Sequence, residues 1–117
     1  LLSSQSELLF EANFYLGVAL QFQGKIEHAL DIFRRALELS PNNFNVMQAI
    51  ASCLDQFKRY EESHQLLLEV LKLAPHDAAV HANLGVLQER LGNEKEALAY
   101  YDHALVLDAK NYIALMN

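Results

Sequence analysis

The chain repeats itself at an interval of 34 residues, and this limits its folds more than any other feature. Pro41 recurs as Pro75, and the same interval carries Phe33 to Leu67 to Tyr101, Ala36 to Val70 to Ala104, and Leu39 to Leu73 to Leu107. A fixed period in the range of about 20–50 residues marks an array of stacked units, each unable to bury its apolar face alone. Set by the prolines, the units are residues 10–43, 44–77 and 78–111, and residues 112–117 begin a fourth unit or a capping helix, all within a single domain 1–117.

Each unit reads as two helices. In the first, Leu16, Gly17 and Leu20 share a helix face, and a second helix carries Ala29, Ile32, Phe33, Ala36, Leu37 and Leu39 at helical spacing. The third unit repeats the pattern with Leu84, Gly85 and Leu91, then Ala97, Leu98, Tyr101, Ala104, Leu105 and Leu107. Gly24 and Gly92 can take the left-handed conformation that ends a helix, and Pro41 and Pro75 cannot continue one. N-cap candidates follow at matching places, Asn43, Asp77 and Asn111. Turns are therefore expected at Gly24, Pro41, Phe57 to Arg59, Pro75 and Gly92, with a seventh helix from about Tyr112. Small residues, Gly17 with Ala29, Ala51 with Ser63 and Gly85 with Ala97, are placed to let paired helices approach closely.

Charge and composition narrow the partners. A net charge of −6 with scattered basic residues supplies no stripe for phosphate neutralisation, so nucleic acid is not expected as a partner. No run approaches the roughly 18 apolar residues of a membrane span, and no membrane insertion is expected. The start, LLSSQSELLF, has no basic segment of the signal-peptide kind, and neither it nor the end, NYIALMN, reads as a native terminus, so a piece of a longer protein is expected. The single cysteine, Cys53, and the lack of a glycosylation sequon fit a reducing, cytoplasmic setting.

With these residues in register, the chain resembles the tetratricopeptide repeat family over essentially its whole length. Eight signature places read Asn13, Leu16, Gly17, Leu20, Ala29, Phe33, Ala36 and Pro41 in the first unit. They read Met47, Ile50, Ala51, Leu54, Ser63, Leu67, Val70 and Pro75 in the second, and His81, Leu84, Gly85, Gln88, Ala97, Tyr101, Ala104 and Ala109 in the third. Asn13, His81, Gln88 and Ala109 depart from the family's preference. The resemblance implies an all-α fold, a right-handed superhelical solenoid of antiparallel helix pairs with three repeats and the start of a further helix.

A search for chemistry finds no nucleophile, base or metal constellation. None of His28, His64, His76, His81 and His103 forms a pair one turn apart, and Cys53 has no partner at zinc-ligand spacing, so no metal and no cofactor is expected. The histidines read as helix surface or loop, Cys53 as a core filler, and Glu61 and Glu62 as helix-start charges.

The family resemblance implies a groove lined by the first helices. Its candidate residues are Phe14, Tyr15, Val18 and Phe22, then Gln48, Ser52 and Gln56, then Asn83, Val86 and Arg90, with Glu11, Gln21, Asn45, Ala49, Asp55, Ala79, Ala82 and Glu89 at the remaining groove places. The carboxylate clamp of chaperone-binding members is missing, since Phe14, Val18, Ala49, Ala79 and Asn83 stand at its places. So is the asparagine ladder of the O-linked sugar transferases, for which only Asn83 fits, against Tyr15 and Ala49. Phe14 and Phe22 read as apolar anchors for a partner, or as residues covered by upstream sequence or a second copy. The expected function is a non-catalytic module that binds a peptide or helical segment of a protein partner within a scaffold or assembly protein. The alternatives are the repeat portion of a larger enzyme, such as a glycosyltransferase presenting protein substrates, and self-association.

Overall fold

A computed structural model describes the backbone from residue 2 to residue 116 and the side chains from residue 5 to residue 110. Six helices and no strand occur among the described residues: α1 (Leu2–Phe22), α2 (Ile26–Leu39), α3 (Phe44–Gln56), α4 (Tyr60–Leu73), α5 (Ala78–Arg90) and α6 (Glu94–Met116). The chain divides into two compact units, one through Ser63 and one from His64 onward. In the first, α1 lies along α2, and α2 also meets α3; in the second, α5 lies along α6.

Every turn falls where the punctuation put it, and three of them share one hydrogen-bond pattern. At the end of α1 the Lys25 amide donates to the Leu20 carbonyl at 2.9 Å and Gly24 donates to Gln21 at 3.0 Å. Arg59 to Leu54 and Lys58 to Asp55, both 2.9 Å, repeat the pair after α3, and Asn93 to Gln88 at 2.8 Å and Gly92 to Glu89 at 3.0 Å repeat it after α5. This is the Schellman closure, which needs a left-handed residue just past the helix. Gly24 and Gly92 supply it with φ of 80° and 85°, and Lys58 is forced into the same region at 62°.

The opposite turns rely on caps. Asn43 Oδ1 accepts from the amides of Asn45 at 3.1 Å and Val46 at 3.2 Å, and Asp77 Oδ1 accepts from Ala79 at 2.8 Å. The third expected cap fails. Asn111 lies inside α6, which runs unbroken to Met116, so no separate helix begins near Tyr112. Ala109 explains the difference, for it stands where Pro41 and Pro75 stop α2 and α4, and an alanine carries a helix onward. Asn117 lies outside the described residues.

The small residues sit where helices touch. A Cβ on Gly17 would come within 2.5 Å of the Phe33 ring, and one on Gly85 within 2.6 Å of the Tyr101 ring. Buried Ser63 makes the contact differently, donating its hydroxyl to the Ala51 carbonyl at 3.2 Å. Around these contacts Leu20, Ala29, Leu30, Ile32, Phe33, Ala36, Val46, Met47, Ile50, Cys53 and Leu54 form the apolar core of the first unit. Leu67, Val70, Val80, Leu84, Leu87, Ala97, Ala104 and Leu107 form that of the second.

Five leucines expected on core faces are exposed instead: Leu16, Leu39, Leu91, Leu98 and Leu105, with Leu91 at the cap residue that ends α5. Leu16 holds the same place in its unit as the buried Ile50 and Leu84, but no helix precedes α1 among the described residues. Leu98 is 61 % exposed whereas Leu30, its counterpart in α2, is buried. Between α1 and α3, α2 is covered on both sides, and no helix follows α6 among the described residues. Leu39 sits at the last residue of α2, where the helix gives way to the Pro41 turn.

The three polar departures from the family pattern each make one local hydrogen bond. Asn13 Nδ2 donates to the Leu9 carbonyl at 2.9 Å, and buried Gln88 accepts from Asn93 Nδ2 at 2.8 Å across the α5–α6 turn. His81, expected at the surface, is buried, with Nε2 2.9 Å from the Pro75 carbonyl and its ring stacked on His103 at 4.3 Å. Gln88 and His81 Nε2 thus meet the requirement that a buried polar group be hydrogen-bonded, while His81 Nδ1 is buried without a partner.

Two outcomes follow from this packing. Leu84→Ala should cost about 2–5 kcal/mol, the range for truncating a buried leucine, and Leu98→Ala under about 1 kcal/mol, as read from urea midpoints; equal shifts would show the helix faces to be misassigned. Lys58→Gly should stabilise the chain by about 0.5–1 kcal/mol, because only glycine takes the left-handed conformation without strain, and a lower midpoint would contradict the strained turn.

Candidate functional site

The residues expected to line the groove fall into two sets that belong to different units. On α1, buried Gly17 and Leu20 face α2, which turns the residues between them outward. Phe14 is half-buried at the centre of an aromatic cluster, 6.2 Å from the stacked Phe10 ring, 5.8 Å from Tyr15 edge-on and 6.0 Å from Phe33. Val18 is half-buried beside it. Tyr15 is 66 % and Phe22 89 % exposed, so the aromatic stripe opens to solvent along its length.

Hydrogen bonds then join α1 to α3. Gln21 Nε2 donates to Ser52 Oγ and to Gln56 Oε1, each at 3.0 Å, so its amide ties both α3 groove residues to the aromatic helix. Gln48 lies half-buried one turn before Ser52. Sequence reasoning placed Gln21 on the groove but gave no sign of its bridging role, which depends on the register between two helices. The groove candidates of the first unit are thus aromatic and apolar on α1 and polar on α3, with Gln21 joining the two helices.

In the second unit, α5 carries Asn83 and Arg90 exposed and Val86 half-buried. Neighbouring Glu89 accepts a hydrogen bond from Tyr101, and partial burial together with that carboxylate pushes the tyrosine pKa up. The ring that fills the space over Gly85 is therefore also held at its hydroxyl, one helical turn farther along α5.

Among the described residues no three His, Cys, Asp or Glu side chains converge where a metal ion could sit. His81 and His103 line a cavity of about 340 Å³ with Glu96, Ala99 and Tyr100, but the imidazoles are stacked face to face rather than pointed at a common centre. Glu62 is engaged with Arg59 at 2.7 Å, a hydrogen bond that holds its carboxyl below the usual range. Cys53 is buried, and desolvation raises its thiol from 9.0 to about 11, so it is a poor thiolate source near neutrality.

Models of the tetratricopeptide repeat match residues 23–82 and residues 78–111. The chain belongs to the tetratricopeptide repeat family. Members of this family are protein-interaction modules built as helical repeats, and the six helices and their turns conform to that fold. Among similar proteins, "Protein O-mannosyl-transferase F38B6.6" of Caenorhabditis elegans is 31 % identical over 100 residues, covering 86 % of this chain and 14 % of that protein. "Anaphase-promoting complex subunit 3" of Dictyostelium discoideum is 32 % identical over 98 residues, covering 83 % of this chain and 10 % of that protein. The chain thus spans between 10 % and 14 % of these relatives. A solved structure described as "YrrB: a TPR protein with an unusual peptide-binding site" superposes with a TM-score of 0.77 at 24 % identity, over 92 % of this chain and 55 % of that one, and shows the shared fold. No described helix of this repeat domain is long and apolar enough to cross a membrane.

The thiol yields a signed prediction. Because the folded pKa of Cys53 lies above its ordinary value, the unfolded chain releases the proton first as pH rises. The stability contributed by the protonated thiol is full below pH 9.0 and is lost on rising toward about 11. Urea melts at pH 8 and pH 10.5 should therefore differ more for the parent than for Cys53→Ala, and identical differences would show that the thiol is not desolvated.

Proposed function

We propose that this chain is a non-catalytic interaction module that holds a peptide or helical segment of a protein partner against the groove surface of its first helices. The observation that carries the reading is the stripe Tyr15, Val18 and Phe22 on α1. It is largely solvent-exposed, while Gly17 and Leu20 on the same helix already serve the contact with α2. Bulky aromatics gathered on one exposed face are costly in water and mark a contact site. The Gln21, Ser52 and Gln56 cluster beside them offers further donors and acceptors to a partner backbone. The setting, a larger scaffold or assembly protein in the cytoplasm, is part of the same proposal and is supported by a relative that is a subunit of a complex.

A second reading places the repeats in a larger enzyme, where they would present protein substrates to a separate catalytic portion. It is favoured by the relative described as an O-mannosyl-transferase, of which only a small part matches this chain. Self-association is a third reading, favoured by the exposed Leu98, Leu105 and Val106 on α6. Light scattering on the purified chain addresses it directly.

Peptides selected for binding from a random display library provide a ligand with which to test the groove. A buried aromatic anchor carries about 2 kcal/mol or more of binding free energy, so Phe22→Ser should lose roughly thirtyfold in affinity. Its melting temperature should stay within about a degree of the parent, as for a solvent-exposed side chain. Equal affinity for parent and variant would remove the aromatic surface from the proposal.

A further inference from the structure

The aromatic stripe of α1 carries charge of only one sign, and this points to the chemistry of its occupant. Among the groove places of the first unit the charged residues are Glu11 and Asp55, and no lysine or arginine stands there. Glu11 also opens onto a cavity of about 260 Å³, roughly the volume of nine water molecules, which Ser6, Glu7, Phe10, Ser40 and Asn43 help to line. Glu7 and Glu11 are one helical turn apart and so share a face, an arrangement that repels itself unless a cation lies between them. Both are exposed, and neither has a cation or a hydrogen-bond partner among the described residues.

Phe10 connects the two features. Its ring lines the cavity and stacks on Phe14, with 9° between the planes, so an aromatic wall leads from the carboxylates toward Tyr15. Carboxylates beside an aromatic ring suit a guanidinium above other groups, because its planar fork donates paired hydrogen bonds to carboxylate oxygens while its face stacks on the ring. The exposed apolar end of the stripe, Phe22, lies eleven residues beyond Glu11 on the same helix, a rise of about 16 Å, which an extended peptide spans in about five residues.

We propose that the partner segment is an extended peptide carrying an arginine about five residues from a bulky apolar residue, the arginine entering the Glu7–Glu11 cavity and the apolar side chain covering Phe22. This rests on the groove reading above and adds to it a charge sign and a spacing.

The test uses fluorescein-labelled synthetic dodecapeptides followed by anisotropy with the intact chain. One peptide carries Arg and Leu five residues apart in a Ser/Thr background, and three others replace the Arg by Ala, replace it by Glu, or move it next to the Leu. At low salt the first should bind at least tenfold more tightly than the Ala peptide, more tightly still than the Glu peptide, and more tightly than the peptide with Arg beside Leu. The advantage over Ala should shrink on raising salt from about 0.05 to 0.5 M, because exposed charges are then screened. The double variant Glu7→Gln, Glu11→Gln, whose exposed side chains leave the fold intact, should bring the Arg peptide down to the affinity of the Ala peptide. Equal binding of Arg, Ala and Glu peptides, all weakened by Phe22→Ser, would overturn the basic preference and leave the groove reading standing. Equal binding of the two Arg spacings would overturn the extended register, and binding of none of the four would overturn both readings.

Discussion

Two aromatic rings lying against two glycines set the geometry of this protein. Phe33 occupies the space over Gly17 and Tyr101 the space over Gly85, each so close that a methyl group could not be added without displacing the ring. Close-packed interiors do not absorb such a change by sliding a little. The contact therefore fixes how near α2 comes to α1 and α6 to α5, and with that separation the rotation of each helix about its own axis. Once Gly17 faces α2, the helical period puts Tyr15, Val18 and Phe22 elsewhere, and the candidate binding surface is a direct consequence of the core contact. Within the first unit, where neither Ala51 nor Ser63 is a glycine, the contact is a hydroxyl-to-carbonyl hydrogen bond.

Local chemistry made much of the fold legible. Gly24, Gly92, Asn43 and Asp77 act through their own backbone or side chains, so their roles survive whatever the rest of the chain does. Lys58 is the instructive intermediate case. It has no residue-level mark of a left-handed position, and only the spacing from Gly24 to Gly92 says that its backbone must close a Schellman turn. What was not legible depended on neighbours. Leu30 and Leu98 are the same residue at the same place in the period, yet one is buried and the other exposed, because burial is decided by the helix that comes next. His81 became a core residue through the Pro75 carbonyl, an acceptor whose availability no periodicity announces. Asn111 stands at the cap place of its unit, but with Ala109 in place of a proline nothing ends α6 before it.

The site shows the same division. The groove places on α1 came from the family resemblance, and the structure leaves Tyr15 and Phe22 at the surface there. The Gln21 bridge to α3 and the cavity beneath Glu7 and Glu11 were not legible, since each arises from residues brought together by packing between elements. Membership of the tetratricopeptide repeat family supplies the general role of protein interaction, while the proposal assigns partner choice to these side chains rather than to the shared fold. An exposed aromatic stripe that ends in unpaired carboxylates is a specific surface in that sense, and it sits on the helix whose orientation Phe33 and Gly17 determine.

That dependence is tested most directly by a double-mutant cycle in urea on Gly17→Ala and Phe33→Leu. Alone, Gly17→Ala should destabilise by about 1–3 kcal/mol, the cost of forcing a methyl group into a filled contact. In the Phe33→Leu background, where the smaller side chain leaves room, its cost should fall by about 1 kcal/mol or more, the coupling expected of residues that share one space. If the two changes add to within about 0.5 kcal/mol, the glycine and the ring do not share that space, and the account of how α1 acquires its outward face is wrong.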